Sequence, residues 1–194
     1  MLLSKITNIL GFGGDIADDR EIGWLLTDSR SLTFPAESLF FALVTNRNNG
    51  HQYVQELYNQ GLRAFVISEV HPEFETLHDA LFLLVDDTLM ALQQIVAAHR
   101  REFSVPIIGI TGSNGKTIVK EWLFQLMQED CKIVRSPRSY NSQIGVPLSV
   151  WQLKSDTQLG IFEAGISMPG EMANLEHVIH PTIEIGRASC RERV

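Results

Sequence analysis

Residues 112–117 read Gly-Ser-Asn-Gly-Lys-Thr, and each type has a use beside an anion. Gly112 and Gly115 let the backbone curl around Ser113 and Asn114 so that successive N–H groups point inward, and a helix starting directly afterwards adds partial positive charge. Lys116 is the only cation of this loop and can reach terminal phosphates, while the Thr117 hydroxyl is a ligand of the kind Mg²⁺ takes. The strict phosphate-loop spacing asks for glycine at position 110, where this chain has Ile110. A tight strand-to-helix turn would use the same glycines. The Lys-Thr pair opening an amphipathic helix favours a nucleotide site.

Three further groups could serve the same chemistry. Glu163 closes the apolar run "LGIFEAG", and strand ends in open α/β sheets face ligands. A carboxylate there, near Thr117, suits a hard cation; alone, it would read as a solvated strand end. The loop "RSPRSYNSQIG" offers arginines, serines and Asn141 to anionic oxygens, a weak signal by itself because polar loops are ordinary. His177 and His180 stand three apart on an expected helix, with no other metal ligand evident. Asp86–Asp87 read as a helix cap and Cys131 as a packed thiol.

The elements that must position these groups are legible as a pattern. "VPIIGIT" is an apolar, β-branched strand ahead of the loop. Behind it, Ile118, Val119, Trp122, Leu123, Leu126 and Met127 form one helical stripe. Further strands and helices alternate: strand "KIV", helix "VPLSVWQL", strand "LGIFEAG", helix "GEMANLEHVI". Upstream, "WLLTDS", "SLFFALV", "AFVIS" and "ALFLLV" read as strands, "HQYVQELYNQG" as a helix, and "DDTLMALQQIVAAHRREF" as another with Leu89, Leu92, Val96 and His99 on one face. Alternating βα units predict an α/β fold with a mainly parallel sheet. Ser104 to Pro106 marks a boundary, giving a domain over 1–103 and a phosphate-loop domain over 104–183.

Composition narrows the partners. The chain has 194 residues, 44% of them hydrophobic, and a net charge of −7. An acidic surface argues against nucleic acid as the main partner. Two cysteines, Cys131 and Cys190, make no disulfide framework and suit a reducing cytosol. The start "MLLSKITNILGFGGDI" is interrupted by polar residues and reads as a short surface helix, neither a signal peptide nor a membrane insertion. The expected location is cytoplasmic.

The same residues carry a resemblance. "TGSNGKT" is similar to the ATP loop of the Mur ligases, which build the peptide of peptidoglycan precursors. "FEAGISMPGEMANL" resembles the stretch of the type that adds D-alanyl-D-alanine (the MurF type). "SPRSYNSQIGVPLSVW" is similar to that family's N-x-N-N-x-I-G-V-P loop, with Asn141 at the middle asparagine and Ser139 and Ser142 replacing the outer two. That serine form resembles proteins in which the ligase is fused to an alanine racemase. "TDSRSL", "SLFFAL" and "NNGHQY" resemble the family's UDP-sugar-binding domain, placing Ser29, Arg30, Asn49, Gly50 and His51 at matching positions.

The resemblance implies a UDP-sugar-binding α/β domain over 1–103 followed by part of a central ATPase domain. It implies ATP and Mg²⁺ as cofactors, and UDP-N-acetylmuramoyl-tripeptide and D-alanyl-D-alanine as partners; pyridoxal phosphate enters only if a racemase domain follows. The tripeptide carboxylate would attack the γ-phosphate of ATP, and the amine of D-alanyl-D-alanine would attack the resulting acyl phosphate. Gly112, Ser113, Asn114, Gly115, Lys116 and Thr117 would hold ATP, Thr117 and Glu163 the Mg²⁺, with Lys116, Asn141 and Glu163 at the reaction. Two other classes stay open: a nucleotide-binding module that does not catalyse, and a relative that adds glutamate to folate.

The last expectation concerns the end of the chain. "LGIFE" and the run into "HPTI" should be neighbouring strands joined through the helix between them. Glu184 should interrupt the second, and residues 184–194, ending "EIGRASCRERV", read as a non-native tail, with 186–194 peripheral and the chain inactive alone.

Overall fold

The computed structural model describes residues 1–14, 16, 18–46, 48–166 and 170–187. It divides into two compact units, Met1–Ile95 and Val96–Val194.

The first unit starts with helix α1 (Leu3–Ile9), which buries Leu3 and Ile6. Strands β1 (Trp24–Leu26) and β2 (Ser38–Phe41) follow, then a two-residue ribbon of β3 (Val44–Thr45) against β4 (Asn48–Asn49). Helix α2 (Val54–Asn59), β5 (Ala64–Ile67) and β6 (Leu81–Leu84) complete it. The main sheet runs β1-β2-β5-β6 and is parallel throughout. Its inner strands are short and almost wholly apolar because both faces are covered: all of β2 and β5 is buried. Phe40, Phe65 and Ile67 pack with Val54 and Leu57 of α2 in one core cluster, and Phe65 stacks on Phe82 at 5.3 Å.

Helix α3 (Thr88–Arg100) starts at Asp87, whose Oδ1 accepts from the N–H groups of Leu89 and Met90 at 2.7 and 3.0 Å. That is the expected cap. The two compact units divide inside α3, between Ile95 and Val96, ahead of the boundary expected at 103/104. The reason is the last turn of the helix, which is built into the second unit. His99 lies 4.5 Å from the Trp151 ring, and the buried Arg100 donates to the carbonyls of Ile179 and His180, both at 2.9 Å. Those carbonyls end a helix and have no partner within it.

The second unit comprises β7 (Ile107–Gly112), α4 (Lys116–Met127), β8 (Ile133–Arg135), α5 (Gly145–Val150), β9 (Leu159–Ala164), α6 (Glu171–Ile179) and β10 (Ile183–Arg187). Its sheet runs β10-β7-β9-β8, all parallel. Side chains alternate across a strand, so Ile108 and Ile110 of β7 meet Val119, Leu123 and Met127 of α4. Gly109, pointing the other way, faces Pro181 and Ile179. Helices α4 and α6 thus cover opposite faces.

Three expectations change here. The strands "LGIFE" and "HPTI" are not neighbours, because β7 lies between β9 and β10; the loop-bearing strand takes the central place and the crossovers leave it in both directions. Glu184 does not interrupt β10, which pairs in register with β7 as far as Arg187 opposite Gly112. Among the described residues β10 is an edge strand, where a glutamate can stay in water while Ile185 joins the core. The tail from 188 onward, with Cys190, lies outside the described residues. Finally, the α4 stripe is only half buried: Ile118, Trp122 and Leu126 are 55%, 64% and 76% exposed. No helix among the described residues is long and apolar enough to cross a membrane.

Candidate active site

In a parallel sheet the C-terminal strand ends share one edge, and loops gathered there can converge on a ligand. The loop after β7, the loop after β8 and the end of β9 meet in this way. Gly115 supplies the start of α4 at φ +78°, and Gly112 closes β7 at φ +135°, conformations that side chains other than glycine rarely adopt. Having no side chain, Gly115 does not cap the first turn of α4. Lys116 folds back across the loop, donating to the Gly112 carbonyl at 2.7 Å.

The Thr117 and Glu163 side chains come together in space. Ile110 of β7 pairs with Glu163 of β9, which sets Glu163 beside the start of α4. There the Thr117 hydroxyl donates to Glu163 Oε2 at 3.0 Å. Glu163 is fully buried, so the solvated strand-end reading is wrong for it. Two hard oxygens at this distance, at the mouth of a phosphate-type loop, form a donor set that Mg²⁺ takes. Asn141 is drawn to the same strand end: its carbonyl accepts from Gly165 N–H at 2.8 Å, and a Cβ on Gly165 would stand 3.0 Å from its side chain. Ser113 is exposed, and Asn114 flanks Gly115 at the loop crest.

Lys116 is the only cation of the loop, but a second one, from the helix, stands behind it. Lys120, one helical turn on, is fully buried, with its Nζ 2.9 Å from Glu163 Oε1 and 3.2 Å from Glu121 Oε1. It also donates to the carbonyls of Ser136, at 2.8 Å, and of Arg138. The Ser136 hydroxyl in turn accepts from Glu163 N–H at 3.2 Å. Glu121 is shared with Arg135 at 3.0 Å, whose hydrogen bond holds its carboxyl below the usual range. A lysine within a helix reads as solvated. The usable signal was its spacing: three residues from Thr117 and four from Lys116 puts all three on one helical face.

In the first unit, Ser29 and Arg30 follow β1 in a turn at the surface, and Asn49 ends the β3–β4 ribbon with Gly50 and His51 directly after it, at the same sheet edge. Arg30 grips Asp28 through Nε–Oδ1 at 2.9 Å and a second contact at 2.6 Å; this pair holds the Asp28 carboxyl down to about 2. Asn49 and His51 are bound to each other, the Asn49 Oδ1 lying 2.6 Å from His51 Nδ1. His51 is buried, and its Nε2 accepts from Ser68 N–H at 3.0 Å and Glu69 N–H at 3.2 Å. Burial pushes its imidazole below the ordinary 6.5. Gly50 admits no side chain, since a Cβ would lie 2.7 Å from Leu43 N. Ser29 and Arg30 thus lie in a turn that reaches solvent, whereas Asn49, Gly50 and His51 are held by contacts within the unit. Ligand atoms of His51, Glu69 and His71 lie within 4.8 Å of one another. The Nε2 lone pair of His51 is already used twice, so this group has no third metal ligand to give. His177 is exposed, with Nε2 3.3 Å from Arg101, and His180 lies past the helix end in a left-handed conformation.

Residues 110–185 match the Mur ligase middle domain. The chain is 33% identical over 155 residues to the UDP-N-acetylmuramoyl-tripeptide–D-alanyl-D-alanine ligase of Bacillus subtilis (strain 168), covering 80% of this chain and 33% of that protein. It is 34% identical over 170 residues to the ligase of the same name from Synechocystis, covering 87% of this chain and 36% of that protein. The chain thus spans about a third of the length of the curated relatives it matches. Among solved structures, MurF from Acinetobacter baumannii superposes with a TM-score of 0.81 at 23% identity, covering 93% of this chain and 39% of that one. MurF ligase from Thermotoga maritima in complex with ADP gives 0.72, also at 23% identity, covering 86% and 38%.

Proposed function

The chain belongs to the Mur ligase family, and from that premise we propose that it forms the substrate- and ATP-binding part of a ligase joining D-alanyl-D-alanine to UDP-N-acetylmuramoyl-tripeptide in the cytoplasm. The observation that carries the proposal is the Thr117–Glu163 contact at 3.0 Å beside the Lys116 loop. The residues fit Mg²⁺ by their oxygen chemistry; bound there, it would neutralise phosphate charge as the γ-phosphoryl group moves. Lys116 exchanges the Gly112 carbonyl for the terminal phosphates, and the first-turn amides of α4 bind phosphate oxygens. Asn141, carried by the loop after β8, offers its amide to the carboxylate and phosphate as they meet. Both reactants are anions, so fixing them is most of the catalytic task.

In the first unit, Arg30 turns its planar fork from Asp28 to a diphosphate, a trade of one bidentate anion for another, and Ser29 adds a hydroxyl donor. The test is calorimetric titration of the chain with ADP–Mg²⁺ and, separately, with UDP-N-acetylmuramoyl-tripeptide. Binding of both is expected, with Arg30→Ala weakening only the second. A folded chain that binds neither ligand overturns the reading. In a chain extended to its relatives' full length, phosphate release should require both UDP-N-acetylmuramoyl-tripeptide and D-alanyl-D-alanine.

A further inference from the structure

We propose that Lys120 is a positioning residue for the metal side of the site: it fixes which oxygen of Glu163 faces Thr117 and locks the Asn141 loop to the same point. The proposal rests on the nucleotide-site reading above and goes beyond it, since Lys120 is not among the residues that reading assigns to ATP, Mg²⁺ or substrate.

The geometry is specific. Glu163 has no exposure and neither has Lys120. Oε1 makes no hydrogen bond and faces the ammonium as an ion-pair partner at 2.9 Å, while Oε2 accepts from Thr117 at 3.0 Å. A carboxylate divided in this way presents a single oxygen to a cation beside Thr117. Freed from Lys120, it could rotate and offer both or neither. A purely stabilising role is the weaker account, because desolvating two charges costs about what their attraction returns, and apolar packing usually does as well.

The loop after β8 is held by the same ammonium. Arg138 sits at φ +49°, a conformation that costs a non-glycine residue energy and persists only where its surroundings over-determine it. Its carbonyl and that of Ser136 both accept from Lys120. Three residues further along, Asn141 is pinned to Gly165, two residues past Glu163. Lys120 thus joins the helix carrying Lys116 and Thr117, the strand carrying Glu163 and the loop carrying Asn141.

The test measures ADP affinity with and without Mg²⁺ for the wild-type chain, Lys120→Met, Lys120→Gln, and each substitution combined with Glu163→Gln. Metal-free affinity, which depends on Lys116 and backbone amides, serves as the fold control and should stay within about twofold. The gain on adding Mg²⁺ should fall by about tenfold or more in Lys120→Met, with no further loss when Glu163 is already Gln. Lys120→Gln keeps N–H donors for the two carbonyls without the charge; it should keep the fold and lose the gain, so the proposal stays testable if Met is not tolerated. A full Mg²⁺ gain in a folded Lys120 variant overturns the proposal, as does an equal loss on top of Glu163→Gln. A wild-type chain without ADP affinity overturns the nucleotide-site reading itself and is thereby distinguishable.

Discussion

Thr117 and Glu163, 46 residues apart, meet at 3.0 Å through a hydroxyl-to-carboxylate hydrogen bond. The contact exists because β7 and β9 are adjacent and in register at Ile110 and Glu163, and because α4 starts directly after the loop crest. It places a hard-cation donor pair at the edge where the phosphate-type loop opens.

Lys116→Ala should weaken ADP–Mg²⁺ binding without unfolding the chain. A charge-assisted hydrogen bond from this ammonium to phosphate is worth about 1.5–3 kcal/mol, or roughly tenfold to a hundredfold in affinity. Among the described residues the Lys116 ammonium bonds a loop carbonyl, Gly112 O, a contact that water can replace, so the melting temperature should hardly move. Equal affinities in calorimetry would sink the assignment of this lysine.

Glu163→Ala should be among the most damaging single changes to the second unit. It strands the fully buried Lys120 ammonium without its closest counter-charge, and leaving one half of a buried ion pair costs about 3–5 kcal/mol. Glu163→Gln keeps the shape and one acceptor and should cost less. Denaturant midpoints of the two variants would decide; an Ala variant as stable as wild type contradicts the ion-pair reading.

Gly50→Ala should destabilise the first unit by about 1–3 kcal/mol through overpacking. Its Cβ would stand 2.7 Å from Leu43 N and 2.8 Å from the Ala42 backbone, and backbone cannot step aside as a side-chain end can. The substitution should also reduce UDP-sugar binding, since Asn49 and His51 are held through this turn. A drop in melting temperature checks it.

Stability should fall as pH drops below about 6.5. Burial lowers the imidazoles of His51 and His99 from their ordinary 6.5, so in this range the unfolded chain takes up protons that the folded chain refuses. Proton uptake by the unfolded state lowers folding stability with falling pH, by at most about 1.4 kcal/mol per pH unit for each histidine. The loss levels off below the folded-state values. Melting curves at pH 7.5 and 5.5 should show it, and His99→Gln should flatten the difference; an unchanged slope in that variant would remove His99 from the account.

The sequence by itself determined the local elements and the loop. Glycine spacing, the Lys-Thr pair and the switch from β-branched run to helical stripe at 105–127 depend on neighbours within a turn or two, where chain geometry leaves few choices. Asp87 as a helix cap was legible for the same reason. The tertiary structure alone decided which strands adjoin: β7 takes the centre and separates β9 from β10, an outcome of crossover packing that no local pattern encodes. It also decided the fate of polar residues. Lys120, written like a solvated helix lysine, is buried because Glu163 and the carbonyls of Ser136 and Arg138 converge on it, from 16 to 43 residues away in the chain. His51, matched to a ligand-binding position, has both ring nitrogens engaged within its own unit. A burial that depends on partners so distant in sequence leaves no periodic trace, and this is why the supporting charges of the site had to be found in three dimensions.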